Sequence, residues 1–101
     1  MYGIFTNSRQ IEKKFKQIEE YTTDEKRYCR IRDALTNFPK GNETTHKEIS
    51  KKGKYWNFDL TYGDRVTYKV YDNKTVNGKS VVMIYFIGNH KDYETFLRNN
   101  G

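Results

Sequence analysis

Two stretches near the middle of the chain constrain the fold most. In residues 62–70, Val66, Tyr68 and Val70 alternate with Thr67, Lys69 and Tyr71. That is the period-two pattern of a strand with one buried face. Residues 81–90 begin with an almost unbroken apolar run, rich in β-branched and aromatic side chains, which reads as a central strand covered on both faces. The connection, residues 72–79, contains Asn77-Gly78, a strong hairpin-turn signal. The two strands therefore pair antiparallel, and the start of one lies beside the end of the other. Arg65 and His90 stand at those two positions and are predicted to be neighbours. A fixed cation beside a titratable imidazole suits phosphate chemistry.

The remaining elements follow from local patterns. Residues 2–6 form a short strand candidate. Ile11, Phe15 and Ile18 recur at helical spacing after a Ser8 cap, which predicts an amphipathic helix over 8–21. Thr22 and Glu25 have capping-box spacing, and Tyr28, Ile31, Leu35 and Phe38 mark a second helix that Pro39 and Gly41 stop. Residues 40–54 are polar and basic and read as irregular. Trp56, Phe58 and Leu60 alternate with Tyr55, Asn57 and Asp59, a strand whose second set faces solvent. Residues 92–98 predict a short last helix packing Tyr93, Phe96 and Leu97. The order predicts an α+β fold: an N-terminal strand and a two-helix hairpin packed on one face of a small antiparallel sheet. At 101 residues the chain has room for one domain, residues 1–101.

Charge narrows the choice of partner. The formal charge of +6 suits nucleic acid, an acidic protein or an anionic surface. No apolar run is long enough to span a bilayer and no signal-peptide layout opens the chain, so a cytoplasmic protein with no membrane partner is predicted. Cys29 stands alone, which excludes an internal disulfide, and two histidines and one cysteine show no metal-site spacing. Neither a metal nor a cofactor is predicted.

Three segments carry a family resemblance. His46 is followed by Gly53-Lys54-Tyr55-Trp56; then comes Asp64-Arg65-Val66-Thr67-Tyr68-Lys69-Val70; then Ile87-Gly88-Asn89-His90-Lys91-Asp92-Tyr93. In this order, and on this succession of elements, they resemble the RelE/YoeB/YafQ superfamily of toxin ribonucleases. The resemblance implies a RelE-like fold and a metal-independent endoribonuclease that cleaves mRNA on the bacterial ribosome by attack of a ribose 2′-oxygen. It also implies a cognate acidic antitoxin protein. By that resemblance Arg65 contacts the phosphate, His90 is the general acid, His46 is the proposed base and Tyr93 stacks near the scissile nucleotide. Lys91, Lys54 and Lys52 would assist substrate binding through their charge. Asp59 departs from the pattern, since relatives carry a basic residue or histidine there.

Each assignment has a plainer reading. On that reading His90 is a solvated strand-end histidine, Arg65 a partner of Asp64 or Asp92, His46 a loop histidine and Tyr93 core. Two rival functions accompany the nuclease. One is a non-catalytic basic protein of the same fold that binds RNA or a protein target. The other is a basic nucleic-acid-binding domain with strand aromatics as its stacking platform.

Overall fold

The structure is a computed structural model that describes residues 2–20, 30–37, 39–40, 47–48, 55–60 and 63–100. Eight elements follow in chain order: β1 (Tyr2–Thr6), α1 (Arg9–Ile18), α2 (Ile31–Asn37), β2 (Lys47–Glu48), β3 (Trp56–Asp59), β4 (Arg65–Val76), β5 (Lys79–Gly88) and α3 (His90–Asn100). The strands make one mixed sheet in the order β1-β5-β4-β3-β2. The α+β class is as predicted.

The wholly antiparallel sheet is not. β1 is an edge strand parallel to β5, with Ile4 opposite Val82, while the other pairs are antiparallel. The chain leaves β1 into the helices and returns to β5 only after three further strands, a crossover long enough to allow parallel pairing. Nothing in a five-residue strand encodes its direction.

One face of the sheet carries the main core. Phe15 and Ile18 of α1 and Ile31 and Leu35 of α2 pack with Val66 and Tyr68 of β4 and Val82, Ile84 and Ile87 of β5. Burying a side chain of this size contributes roughly 1.5–3 kcal/mol. Ser8 caps α1, its hydroxyl oxygen accepting from the Ile11 N–H at 3.2 Å. Two ion pairs, Arg32–Glu19 at 2.7 Å and Arg30–Glu20 at 2.6 Å, bring the start of α2 to the end of α1, as a helical hairpin requires. The Tyr68 hydroxyl, fully buried, donates to the Pro39 carbonyl and anchors the chain after α2 to the sheet. The capping box at Thr22 and Glu25, with Tyr28, Cys29 and Phe38, lies outside the described residues.

The hairpin is longer than its sequence suggested. β4 continues to Val76 and β5 starts at Lys79, so the turn is Asn77-Gly78 alone, with φ of 53° and 77°. Both residues at positive φ make the tight turn that matches strand twist. Residues 72–74 are an excursion in β4, because Tyr71 pairs with Val81 and Thr75 already with Ser80. Asp72, on this excursion, accepts from the Tyr2 hydroxyl at 2.9 Å and from the Lys40 ammonium, tying β4 to β1 and to the end of α2. A second irregularity, between Thr67 and Tyr68, gives β5 one extra residue, Tyr85.

That extra residue lets both Tyr85 and Phe86 turn to the second face, which α3 covers. Phe96 of α3 lies 5.2 Å from Phe86 and 5.3 Å from Tyr55, ring centre to ring centre. Asn57, predicted to face solvent, is buried; it lies two residues along from Tyr55 on the same face, where the Tyr55 ring packs edge-on against Phe96 of α3.

Candidate functional site

The turn between β3 and β4 fixes Arg65. Leu60 donates its N–H to the Asp64 carbonyl at 2.7 Å and Gly63 donates to the Leu60 carbonyl at 3.0 Å. Gly63 sits at φ +100°, a conformation other residues rarely adopt. The turn sets Arg65 opposite Asp59 on one side and Gly88 on the other. Gly88 is needed for close packing: a Cβ there would lie 2.9 Å from the tip of the Phe86 ring. Phe86 thus folds over Gly88, and Tyr93 lies 5.9 Å away.

His90 is the first residue of α3 rather than the last of a strand. Asn89 caps the helix: its side-chain oxygen accepts from the Asp92 N–H at 2.8 Å and its carbonyl from the Tyr93 N–H at 3.0 Å. One helical turn then aligns His90 with Tyr93 and Glu94.

These elements make a row of three side chains. The Arg65 guanidinium carbon lies 4.7 Å over the Tyr93 ring centre, and the His90 ring lies 6.2 Å from the same ring at 30°. Tyr93 is only 4% exposed, so it holds Arg65 in place and presents no open face for a nucleobase. The stacking role predicted for Tyr93 requires Arg65 to move aside. The His90 side chain is 66% exposed and its Nε2 lies 3.5 Å from the Glu94 carboxylate.

Two neighbours were not anticipated. Glu94 is recognisable only once the helix is known to begin at His90, four residues earlier. Lys14 donates to the Ile87 carbonyl at 3.4 Å, carrying a cation from α1 to the same end of β5; its place in a lysine-rich helix gives no such signal. Asn57 Oδ1 and Thr67 Oγ1, cross-strand partners one row inward from Arg65, are buried and have no hydrogen-bond partner among the described residues. Lys91 is exposed beside His90. His46, Lys52 and Lys54 lie outside the described residues.

Chemically, the row offers a permanent planar cation and an accessible imidazole at one sheet end. Among the described residues, no three His, Cys, Asp or Glu side chains gather as an ion-binding group, and no helix is long and apolar enough to cross a membrane.

No protein-family model, no curated protein and no solved structure matches this chain.

Proposed function

We propose that this protein is a RelE-like toxin: a metal-independent endoribonuclease that cleaves mRNA on the bacterial ribosome. The observation that carries the reading is that the Arg65 guanidinium and the His90 ring both lie against the buried Tyr93 ring, a fixed cation and an imidazole at one end of the sheet. The three matching sequence segments support it independently.

In the proposed reaction the ribose 2′-oxygen attacks the adjacent phosphorus while a base, assigned to His46, takes its proton. Arg65 neutralises charge growing on the non-bridging oxygens. His90 gives its proton to the departing 5′-oxygen, leaving a 2′,3′-cyclic phosphate. Both reacting groups belong to one nucleotide, so orientation supplies much of the rate. The protein works in the cytoplasm, and an acidic antitoxin covers the basic site until it is removed. That association is expected to slow as salt rises.

The test is expression of the wild-type chain beside His90→Ala, following growth and transcript 5′ ends. The reading requires growth arrest and new 5′ ends with the wild type alone. One observation favours a non-catalytic protein of the same fold: the Tyr93 face is occupied by Arg65. Growth arrest by both chains, with no new 5′ ends, would establish that reading instead.

A further inference from the structure

A second cationic cluster lies on the α3 side of the sheet, further along β4 from Arg65. The Lys69 ammonium lies 4.7 Å from the Tyr55 ring centre and 5.7 Å from that of Tyr85. The Tyr85 and Tyr71 hydroxyls share a hydrogen bond of 2.8 Å. The Lys74 ammonium lies 5.1 Å over Tyr71. The row runs from the α3-covered rings out onto the hairpin excursion. The reaction proposed above uses none of these residues.

We propose that Lys69 and Lys74 bind the phosphate backbone of single-stranded RNA, extending the substrate path along β4 away from Arg65 and His90. The choice of RNA rests on the nuclease reading; the cationic site itself does not.

Three features point to phosphate. Among the described residues neither lysine has a carboxylate partner; the nearby Asp72 is engaged by Lys40 and Tyr2. Tyrosine faces fix where the two ammonium groups sit without neutralising them. The Tyr85 hydroxyl, pushed up to about 12 by burial and by its bond with Tyr71, adds no negative charge at neutral pH. Among the described residues, then, no carboxylate pairs with either ammonium group of the cluster.

The geometry also says what is read. The lysines cover the ring faces, so nucleobases have no open platform there, and recognition falls on the backbone without sequence preference. Arg65 and Lys69 are four residues apart on one face of β4, roughly 13 Å at about 3.3 Å per residue. That is the axial length of about four stacked nucleotides at ~3.4 Å each. One strand can reach both.

The experiment measures binding of a fluorescent single-stranded RNA with 2′-O-methyl riboses, which cannot be cut, by anisotropy across a salt series. The wild type is compared with Lys69→Gln/Lys74→Gln and with Lys13→Gln/Lys16→Gln, a control of equal charge change on exposed positions of α1. Far-UV circular dichroism checks that each variant folds. The log–log salt slope is expected to fall by about 1.4 for the β4 pair, at ~0.7 per phosphate contact on a single strand, and to change little for the control. An unchanged slope for the β4 pair, or an equal change in both pairs, overturns the site. Because the RNA cannot react, a wild type that binds but never cleaves natural RNA would sink the nuclease reading and leave this result to stand or fall alone.

Discussion

The stack of Arg65 on Tyr93 makes a quantitative test of the site. Replacing Tyr93 with Leu keeps an apolar side chain on α3 but removes the ring face under the guanidinium. A cation over an aromatic face is worth roughly 0.5–1 kcal/mol when exposed and about 2 when desolvated. Arg65 is half-buried and Tyr93 is 4% exposed, so the upper part of that range applies, about 1–2 kcal/mol. Tyr93→Leu also loses the ring contact with Phe86, and a buried substitution of this kind costs on the order of 2–3 kcal/mol in total. For a domain of this size that lowers Tm by roughly 10 °C. The stack itself is isolated by a double-mutant cycle of Arg65→Ala and Tyr93→Leu, read by urea unfolding. A coupling of about 1–2 kcal/mol is expected, and repeating the cycle with Tyr93→Phe should leave Arg65→Ala as costly as in the wild type. A coupling within about 0.3 kcal/mol of zero would refute the stack and with it the placement of Arg65.

Asp72 is held below the usual carboxylate range by its hydrogen bonds from Lys40 and Tyr2. A depressed carboxylate stabilises the fold above its unfolded pKa of about 4, and the contribution is lost as pH falls through the lower folded value. The Tm gap between wild type and Asp72→Asn should therefore be open at pH 6 and narrow as pH falls below about 4; a gap independent of pH would contradict the contact. Gly78→Ala forces a Cβ into positive φ and should cost about 1–2 kcal/mol, measured by thermal unfolding, although open space surrounds the position. Cleavage should survive EDTA, because the proposed reaction draws its phosphate neutralisation from Arg65 and its proton transfers from His46 and His90; loss of cleavage that Mg²⁺ restores would require another mechanism.

The central hairpin was more legible in the sequence than the edges of the fold. That Arg65 and His90 fall at one end of the sheet follows from hairpin arithmetic: a regular antiparallel pair turning at Asn77-Gly78 sets position 65 opposite position 90, and the two irregularities in the pairing move its partner only to Gly88. The start of α3 was hidden because Asn89 ends an apolar run and looks like a strand terminus; only its side-chain bond to Asp92 marks it as a cap. The extra residue at Tyr85 was hidden too. An apolar run such as 81–87 has no alternation to break, so a bulge within it leaves no trace. Without that bulge Tyr85 and Phe86 could not share a face, and neither the ring layer under α3 nor the Lys69 cluster would form. The parallel β1 and the burial of Asn57 depend on what packs from far along the chain, which local periodicity does not encode.

Proton donation by His90 to the leaving oxygen is tested most directly by the single-turnover cleavage rate of His90→Gln beside its melting temperature. His90 is a mostly exposed residue in the first turn of α3, and exposed substitutions usually change stability by no more than about 0.5 kcal/mol. Loss of a general acid costs on the order of 100- to 10,000-fold in rate. If His90 is the acid, Tm stays nearly unchanged while cleavage falls by that factor. A His90→Gln protein that folds as the wild type and cuts RNA at the wild-type rate would contradict it.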